Sequence, residues 1–302
     1  MININKLPFF QNKLIELQES IYSNDAYPSC FLVSEGICNY KVRLSSSFNP
    51  YAIIREYNAL EYLKKQGSKL GADILEAKID GPPESLYLIE SFLPGKSLEK
   101  YSTDELEKYM PLLTQKISSC LYELHNLKGH KFHSFIGDSY QTYLDMLETH
   151  MQRHIRTIGT YDINFANYIS KTIKNIHLYE YYWINITPSF LHFDLKPQNI
   201  IFDKETTSIS LVDFEFARFG DMFHELIRAK MRFSQNTLFF RNLWSHVENC
   251  YFQKIGHIPS VKELIYQLYY YVSDLPYYYK INDFNNIICL QEKIKETLID
   301  LE

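Results

Sequence analysis

The chain is poor in cysteine, glycine and net charge, and it has no long apolar run. Its five cysteines (Cys30, Cys38, Cys120, Cys250, Cys289) are odd in number and scattered over 302 residues, and they form no C-x-x-C pair. That spacing indicates neither a disulfide framework nor a zinc site. A formal net charge of −5 gives no general electrostatic reason to bind nucleic acid or an anionic membrane. No stretch approaches the run of about 18 apolar residues that a membrane-spanning helix needs. The opening MININKLPFF lacks a basic segment followed by an apolar core, so no signal peptide is read there. A cytoplasmic protein with no nucleic-acid or membrane partner is expected. The chain has ten glycines, and none falls in the small polar turn Ser23–Ser29.

At 302 residues the chain is longer than one hydrophobic core ordinarily serves and suits two lobes. Its most informative stretch runs from Leu191 to Phe214, LHFDLKPQNIIFDKETTSISLVDF. Two apolar runs, Asn199–Phe202 and Ile209–Val212, flank the polar turn Lys204–Thr207, the pattern of a β-hairpin. Asp194 and Asn199 stand at or just before the first strand, and Asp213 stands at the end of the second. A hairpin brings its open ends together, so two carboxylates and a carboxamide are expected to converge. Such a donor set suits a hard cation like Mg²⁺, which takes oxygen ligands and keeps positions for water and phosphate.

These residues resemble a known family. His192-x-Asp194-Leu195-x-x-x-Asn199 is similar to the catalytic loop of kinases, and Val212-Asp213-Phe214 to the metal-binding segment that follows it. Protein kinases continue D-F-G and later carry A-P-E; here Glu215 follows Phe214, and no A-P-E occurs downstream. Phe214-Glu215-x-Ala217-x-x-Gly220-Asp221 instead resembles aminoglycoside phosphotransferase-like and choline kinase-like small-molecule kinases. The resemblance implies an α+β, bilobal protein kinase-like fold. Residues 1–94 would be the nucleotide-binding N-lobe, an antiparallel sheet with one main helix. Residues 95–302 would be a larger, mainly helical C-lobe carrying the catalytic hairpin and the acceptor-binding helices.

It also implies an ATP-dependent kinase that moves the γ-phosphate to a hydroxyl of a small molecule. The candidate acceptors are an aminoglycoside-like antibiotic, choline or a sugar, and antibiotic resistance would follow from the first. On this resemblance Asp194 is the base, Lys196 stabilises the transferring phosphate, and Asn199 and Asp213 hold Mg²⁺. ATP is the expected nucleotide with GTP as the alternative, and the protein is expected to be a monomer or weak dimer. Two departures keep other readings open. Asp194-Leu195-Lys196-Pro197-x-Asn199 is similar to serine/threonine protein kinases, and Phe193 stands where antibiotic kinases usually carry Gly. Protein-directed phosphorylation therefore remains an alternative, and the glycine-free turn Ser23–Ser29 keeps a non-catalytic nucleotide-binding scaffold open as another.

Upstream, Phe31–Val33 and Tyr40–Leu44 read as strands joined by a turn containing Gly36. Ser23–Ser29 would then be the phosphate-covering loop, with Ser29 or Ser23 a candidate contact, or else a plain surface turn. The alternative register makes Gly36-x-x-Asn39 that loop. In the first register Arg43 falls where kinases place their third-strand cation, and Lys41, two residues away on the same strand face, competes for the role. Arg55–Leu63 reads as a helix stopped at Gly67, and Glu56 at its start is the candidate partner of that cation. Asp73–Ala77 and Leu86–Glu90 bracket Asp80-Gly81-Pro82-Pro83 as strand, turn, strand. The second strand leads into a hinge-like segment in which Glu90, Ser91 and Phe92 would bind adenine through backbone groups.

Beyond the hinge, Ser102-Thr103-Asp104-Glu105 is a helix-start signature. Helices are expected over 139–156, 164–182, 223–247, 261–272 and 281–302. His125 is expected to serve packing. Asp221 is expected to cap the helix after it or brace the catalytic loop, the alternative being that Glu215, Asp221 and Glu225 face a cationic substrate. The pair His150 and His154 is expected on an exposed helix face, because no third zinc ligand accompanies it.

Overall fold

Period-two alternation builds the first part of the chain. Strands β1 (Glu16–Tyr22), β2 (Ser29–Glu35), β3 (Cys38–Leu44), β4 (Ile74–Lys78) and β5 (Tyr87–Ser91) form an antiparallel sheet in the order β1-β2-β3-β5-β4. The computed structural model describes residues 4–11, 13–22, 29–45, 49 and 51–301, and of residues 18–22, 29, 172 and 175 only the backbone. On one face, Val33, Val42, Leu44, Tyr87 and Ile89 pack with Leu7 and Phe10 from the segment before β1. Lys41 and Arg43 alternate with these apolar residues, so they lie on the opposite face. There the sheet meets helix α1 (Tyr51–Lys65), which buries Ala52, Ile53, Glu56, Ala59, Leu60 and Leu63 along one stripe. The helix stops where expected. Gly67 takes φ +75°, and the Ser68 N–H reaches back to the Leu63 carbonyl at 3.0 Å, a Schellman closure.

Strand β6 (Lys96–Ser97) follows a tight bend at Gly95, whose φ is +102°. A Cβ there would collide with the Phe202 carbonyl, so the close approach of two backbones requires glycine. Helix α2 (Thr103–Glu107) opens with a complete capping box between Ser102 and Glu105. Pro111 sits in the first turn of α3 (Met110–Asn126), where its missing N–H costs nothing. Short strands β7 (Phe132–Ser134) and β8 (Ser139–Tyr140) precede α4 (Tyr143–Gly159) and α5 (Ile163–Thr172). The helix expected from residue 139 begins later because Thr142 caps α4 and residues 139–140 pair with β7. The helix expected over 164–182 ends at Thr172 and continues as a 3-10 run, Ile173–Tyr182.

Strand β9 (Ser189–Leu191) leads to the hairpin of β10 (Ile200–Asp203) and β11 (Ser208–Leu211), which lies beside β6 as a three-stranded sheet. Strand β12 (Arg218–Gly220) joins β7, β8 and β9 in a second small sheet. Four helices complete the chain: α6 (Met222–Ser234), α7 (Leu238–Ile255), α8 (Ser260–Lys280) and α9 (Phe284–Asp300). The single helix expected over 223–247 is broken between α6 and α7. There Ser234 and Asn236 turn their side chains onto the carbonyls of Met231 and Arg232, competing with the helical ladder. Among the described residues, no helix is long and apolar enough to cross a membrane.

The chain groups into two compact units. One comprises Met1–Cys120, Ser134–Gly137 and His192–Arg218; the other comprises Leu121–His133, Asp138–Leu191 and Phe219–Glu302. The sheet, α1 and the hairpin with its flanking loop thus belong to one unit, and helices α4 to α9 belong to the other.

Candidate active site

The hairpin closes as its sequence pattern requires. Ile200 pairs with Leu211 and Asp203 with Ser208, and the Val212 N–H donates to the Asn199 carbonyl at 3.1 Å. Asp213 therefore leaves β11 beside Asn199. It does so in the left-handed region (φ +70°, ψ +58°). Phe193, immediately before Asp194, is also left-handed at φ +64°. Such residues cost about 1–3 kcal/mol each and persist where surrounding contacts over-determine them.

Those contacts are visible. His192, wholly buried, hydrogen-bonds through Nε2 to the Val212 carbonyl at 2.8 Å and accepts from the Asp194 N–H on Nδ1 at 3.2 Å. Its ring lies 4.6 Å from that of Phe214. Asp194 is 2 % exposed. Its Oδ2 takes hydrogen bonds from Lys196 Nζ at 2.6 Å and Asn199 Nδ2 at 3.1 Å, and the same Nδ2 donates to the Asp194 carbonyl at 2.8 Å. With its NH₂ spent on Asp194, Asn199 has its carboxamide oxygen left as a hard donor.

Arg43 connects the sheet to this loop. Its Nη1 pairs with Glu56 and with Asp213 Oδ1 at 2.9 Å, and its Nη2 bonds Glu215 Oε2 at 3.2 Å. Lys41 Nζ lies 3.0 Å from Glu90 and 3.8 Å from Glu56. Arg55 donates from Nε to the Glu215 carbonyl at 2.8 Å. Four carboxylates (Glu56, Glu90, Asp213, Glu215) thus crowd around three cations, and burial together with neighbouring charge shifts the protonation of Glu56, Asp213 and Glu215. Burial pushes Glu56 up to about 8 against the pull of Arg43, with the Glu90 and Asp213 charges adding to the rise. Burial and the Asp213 charge push Glu215 up to about 7. For Asp213 burial works the other way from its neighbours: Arg43, Lys41 and Lys196 outweigh it and hold the carboxyl below its usual value. Burial opposes the charge on Lys41, yet Glu90 and Glu56 hold its ammonium above the ordinary range.

The expected Arg43–Glu56 pair is therefore present, joined by Lys41 in the same cluster. Glu90, singled out only for its backbone, instead turns its side chain to Lys41, its cross-strand partner. Its signal in the sequence is a lone charge closing the apolar strand Leu86–Ile89. The Ser91 N–H bonds the Asp73 carbonyl, and its hydroxyl accepts from the Asp73 N–H, both at 2.9 Å. Phe92 is exposed. Residues 23–28 of the expected phosphate loop, and the Ser29 side chain, lie outside the described residues; the Ser29 backbone pairs with Leu44 in the sheet.

Three expectations in the helical unit are revised or sharpened. His125 is more than packing: its ring bridges Glu225 (2.6 Å) and Tyr251 (2.5 Å), all three buried. Asp221 caps α6 by accepting from the Phe223 N–H, and it also pairs with Lys262 and takes the Tyr266 hydroxyl bond. His150 and His154 are half-buried rather than on an open face, with their rings edge-on to Tyr140 and Tyr269.

The donor set at the hairpin end fits Mg²⁺. Asn199 and Asp213 present oxygen, and Asp213 is held as an anion. Among the described residues, no group of three or more His, Cys, Asp or Glu forms a metal cage. A two-donor site is what a cation shared with phosphate and water requires.

The chain's fold recurs among solved structures. An aminoglycoside phosphotransferase APH(4)-Ia thermostable mutant, solved as a ternary complex with ADP and hygromycin B, superposes with a TM-score of 0.70 at 14% identity, over 94% of this chain and 93% of that one. A putative fructosamine-3-kinase from Haemophilus somnus gives 0.68 at 16% identity, over 96% and 94%. The choline kinase LicA from Streptococcus pneumoniae gives 0.63 at 14% identity, over 97% and 95%. These likenesses establish the protein kinase-like fold. No curated protein matches the chain in sequence. The sequence model of the phosphotransferase enzyme family matches residues 23–247, a span that runs from before β2 through the hairpin and into α7. Motif, fold and family model agree, and the chain belongs to the phosphotransferase enzyme family.

Proposed function

We propose that this kinase moves the γ-phosphoryl group of ATP, with GTP as the alternative donor, to a hydroxyl of a small molecule. The observation that carries the reading is Asp194. It is a buried carboxylate held between Lys196 and Asn199, on a loop whose hairpin delivers Asp213 alongside. In phosphoryl transfer the protein chiefly positions groups and screens charge. Asp194 would orient the acceptor hydroxyl and take its proton. The Lys196 ammonium, already on that carboxylate, would screen the transferring phosphoryl oxygens. Asn199 and Asp213 would hold Mg²⁺, which neutralises charge on the nucleotide phosphates when bound. Arg43, oriented by Glu56, would contact those phosphates, with Lys41 beside it on the same strand face. Ser29 would contribute from the phosphate loop, and the Glu90–Phe92 backbone would receive the base. Residues 1–94 would thus serve the nucleotide, and residues 95–302 the acceptor and the chemistry.

The acceptor classes follow from the neighbours, which include proteins described as phosphotransferases or kinases of aminoglycosides, fructosamine and choline. The test is ADP release from Mg²⁺-ATP against a panel of aminoglycosides, choline, fructosamine and free sugars. Turnover with at least one acceptor is expected. Asp194→Ala should lower it by about 10²–10⁴-fold, the range for losing a positioned base, while ADP still binds. No turnover on any acceptor, and basal ATP hydrolysis that is unchanged in Asp194→Ala, would sink the proposal. Asp213→Ala should abolish the Mg²⁺ dependence of nucleotide binding.

A further inference from the structure

We infer that Arg218 is a positioning residue for the catalytic loop: stacked on Phe193, its guanidinium holds that residue in the left-handed conformation that places Asp194. The inference rests on the phosphotransferase reading of Asp194.

Phe193 is the residue whose conformation sets the direction of Asp194. At φ +64° it occupies a region that a residue with a bulky side chain resists and glycine accepts freely. Its ring is 2 % exposed. The Arg218 guanidinium carbon stands 3.8 Å from the ring centroid, close enough for face-on stacking. Arg218 is itself tethered, because its Nε donates to the Phe216 carbonyl at 3.3 Å. The loop is thus gripped at two points. His192 secures the backbone on either side of Phe193 through Val212 and the Asp194 N–H, and Arg218 bears on the Phe193 side chain. If the ring swings, φ at 193 relaxes toward negative values. The Asp194 carboxylate then leaves Lys196 and Asn199, which hold it at 2.6 and 3.1 Å. A displacement of about 1 Å at such a group lowers the rate by about 10²-fold. A glycine at 193 would reach the same φ with no ring to secure, so Arg218 should matter only while Phe193 is present. Lysine is a poor replacement, because its compact, strongly hydrated ammonium cannot spread over the ring as a planar guanidinium can.

The experiment compares the wild type, Arg218→Ala, Arg218→Lys, Phe193→Gly and the double variant Phe193→Gly/Arg218→Ala. The probe is Mg²⁺-ATP with water as acceptor, giving ADP and inorganic phosphate. Arg218→Ala should lower kcat by about 10–100-fold and leave KM for ATP within about twofold, the pattern of lost positioning without lost binding. Arg218→Lys should behave like Arg218→Ala. In the Phe193→Gly background, removing Arg218 should change kcat by less than about threefold, because the coupling partner is gone. An equal loss of kcat in both backgrounds, or a loss carried by KM, overturns the inference. If the wild type turns over neither water nor any acceptor, the phosphotransferase reading fails instead. The melting temperatures of the same five proteins then decide the stack. A drop on removing Arg218 that vanishes in the Phe193→Gly background supports it, and equal drops refute it.

Discussion

Replacing Arg43 by methionine keeps the aliphatic stem and removes the cation on which three carboxylates converge. Their fates differ. The Asp213 side chain is 30% exposed and can take up water, whereas Glu56 is fully buried. Lys41 stands 3.8 Å from Glu56 and offers partial compensation. Removing one partner of a buried pair costs about 3–5 kcal/mol, because the other charge is left behind. For a chain of this size that corresponds to a fall of about 10 °C in Tm. Glu56 already favours the protonated form below about pH 8, so the penalty for its charge is felt above that pH. Its carboxyl already sits near 8, pushed up by burial against the pull of Arg43, so losing Arg43 raises it further. A raised carboxyl contributes fully below its unfolded value of 4.5, and that contribution is lost as pH climbs through the folded value. The wild type completes that loss near pH 8, while Arg43→Met goes on losing stability above it. The gap between the two proteins should therefore widen by about 1 kcal/mol from pH 6.5 to pH 9. Urea unfolding followed by far-UV circular dichroism at the two pH values measures it. The double variant Arg43→Met/Glu56→Met should recover most of the loss. A cost below about 1 kcal/mol at both pH values, or no recovery in the double variant, would refute the view that a buried, unpaired Glu56 is the source.

Three other perturbations probe the same physics elsewhere. Glu215→Gln should flatten the pH dependence of stability between about 4.5 and 7. The wild-type carboxyl is favoured neutral in the fold, so its contribution falls as pH rises through about 7, by up to about 3 kcal/mol; equal slopes in the two proteins would contradict this. His125→Ala removes two buried hydrogen bonds and should destabilise by about 3 kcal/mol, seen as a lower urea midpoint with unchanged slope. Gly95→Ala should lower the unfolding free energy, read as a lower urea midpoint, by about 2 kcal/mol or more through a backbone collision with Phe202 and an unfavourable φ, and wild-type stability in that variant would show that β6 can shift away from β10.

Much of the site was legible because it is built from short-range patterns. The hairpin was visible in two apolar runs around a polar turn, and its closure accounts for the meeting of Asn199 and Asp213. Lys41 and Arg43 share a strand face by period two, whereas Glu56 was assigned to them only through the kinase resemblance, and the fold brings it into contact with both. Local rules stopped short where competing local bonds won. Thr142 started α4 later than the apolar pattern suggested, and Ser234 and Asn236 split one expected helix into α6 and α7. The His125 cluster gave no warning, because Glu225 and Tyr251 lie 100 and 126 residues away along the chain.

By itself, then, the sequence determined where the chain would turn, which strand faces carry charge and which short motif carries the chemistry. Each of these follows from residues within a few positions of one another. Only the tertiary structure decided which charges share one buried space. It set Glu90 and Glu215 beside Glu56, Arg43 and Lys41, and laid Arg218 against Phe193. The physical reason is that protonation and loop strain depend on burial and on partners supplied by distant segments. The same glutamate titrates near its ordinary value in water and near 8 when helix and sheet close over it.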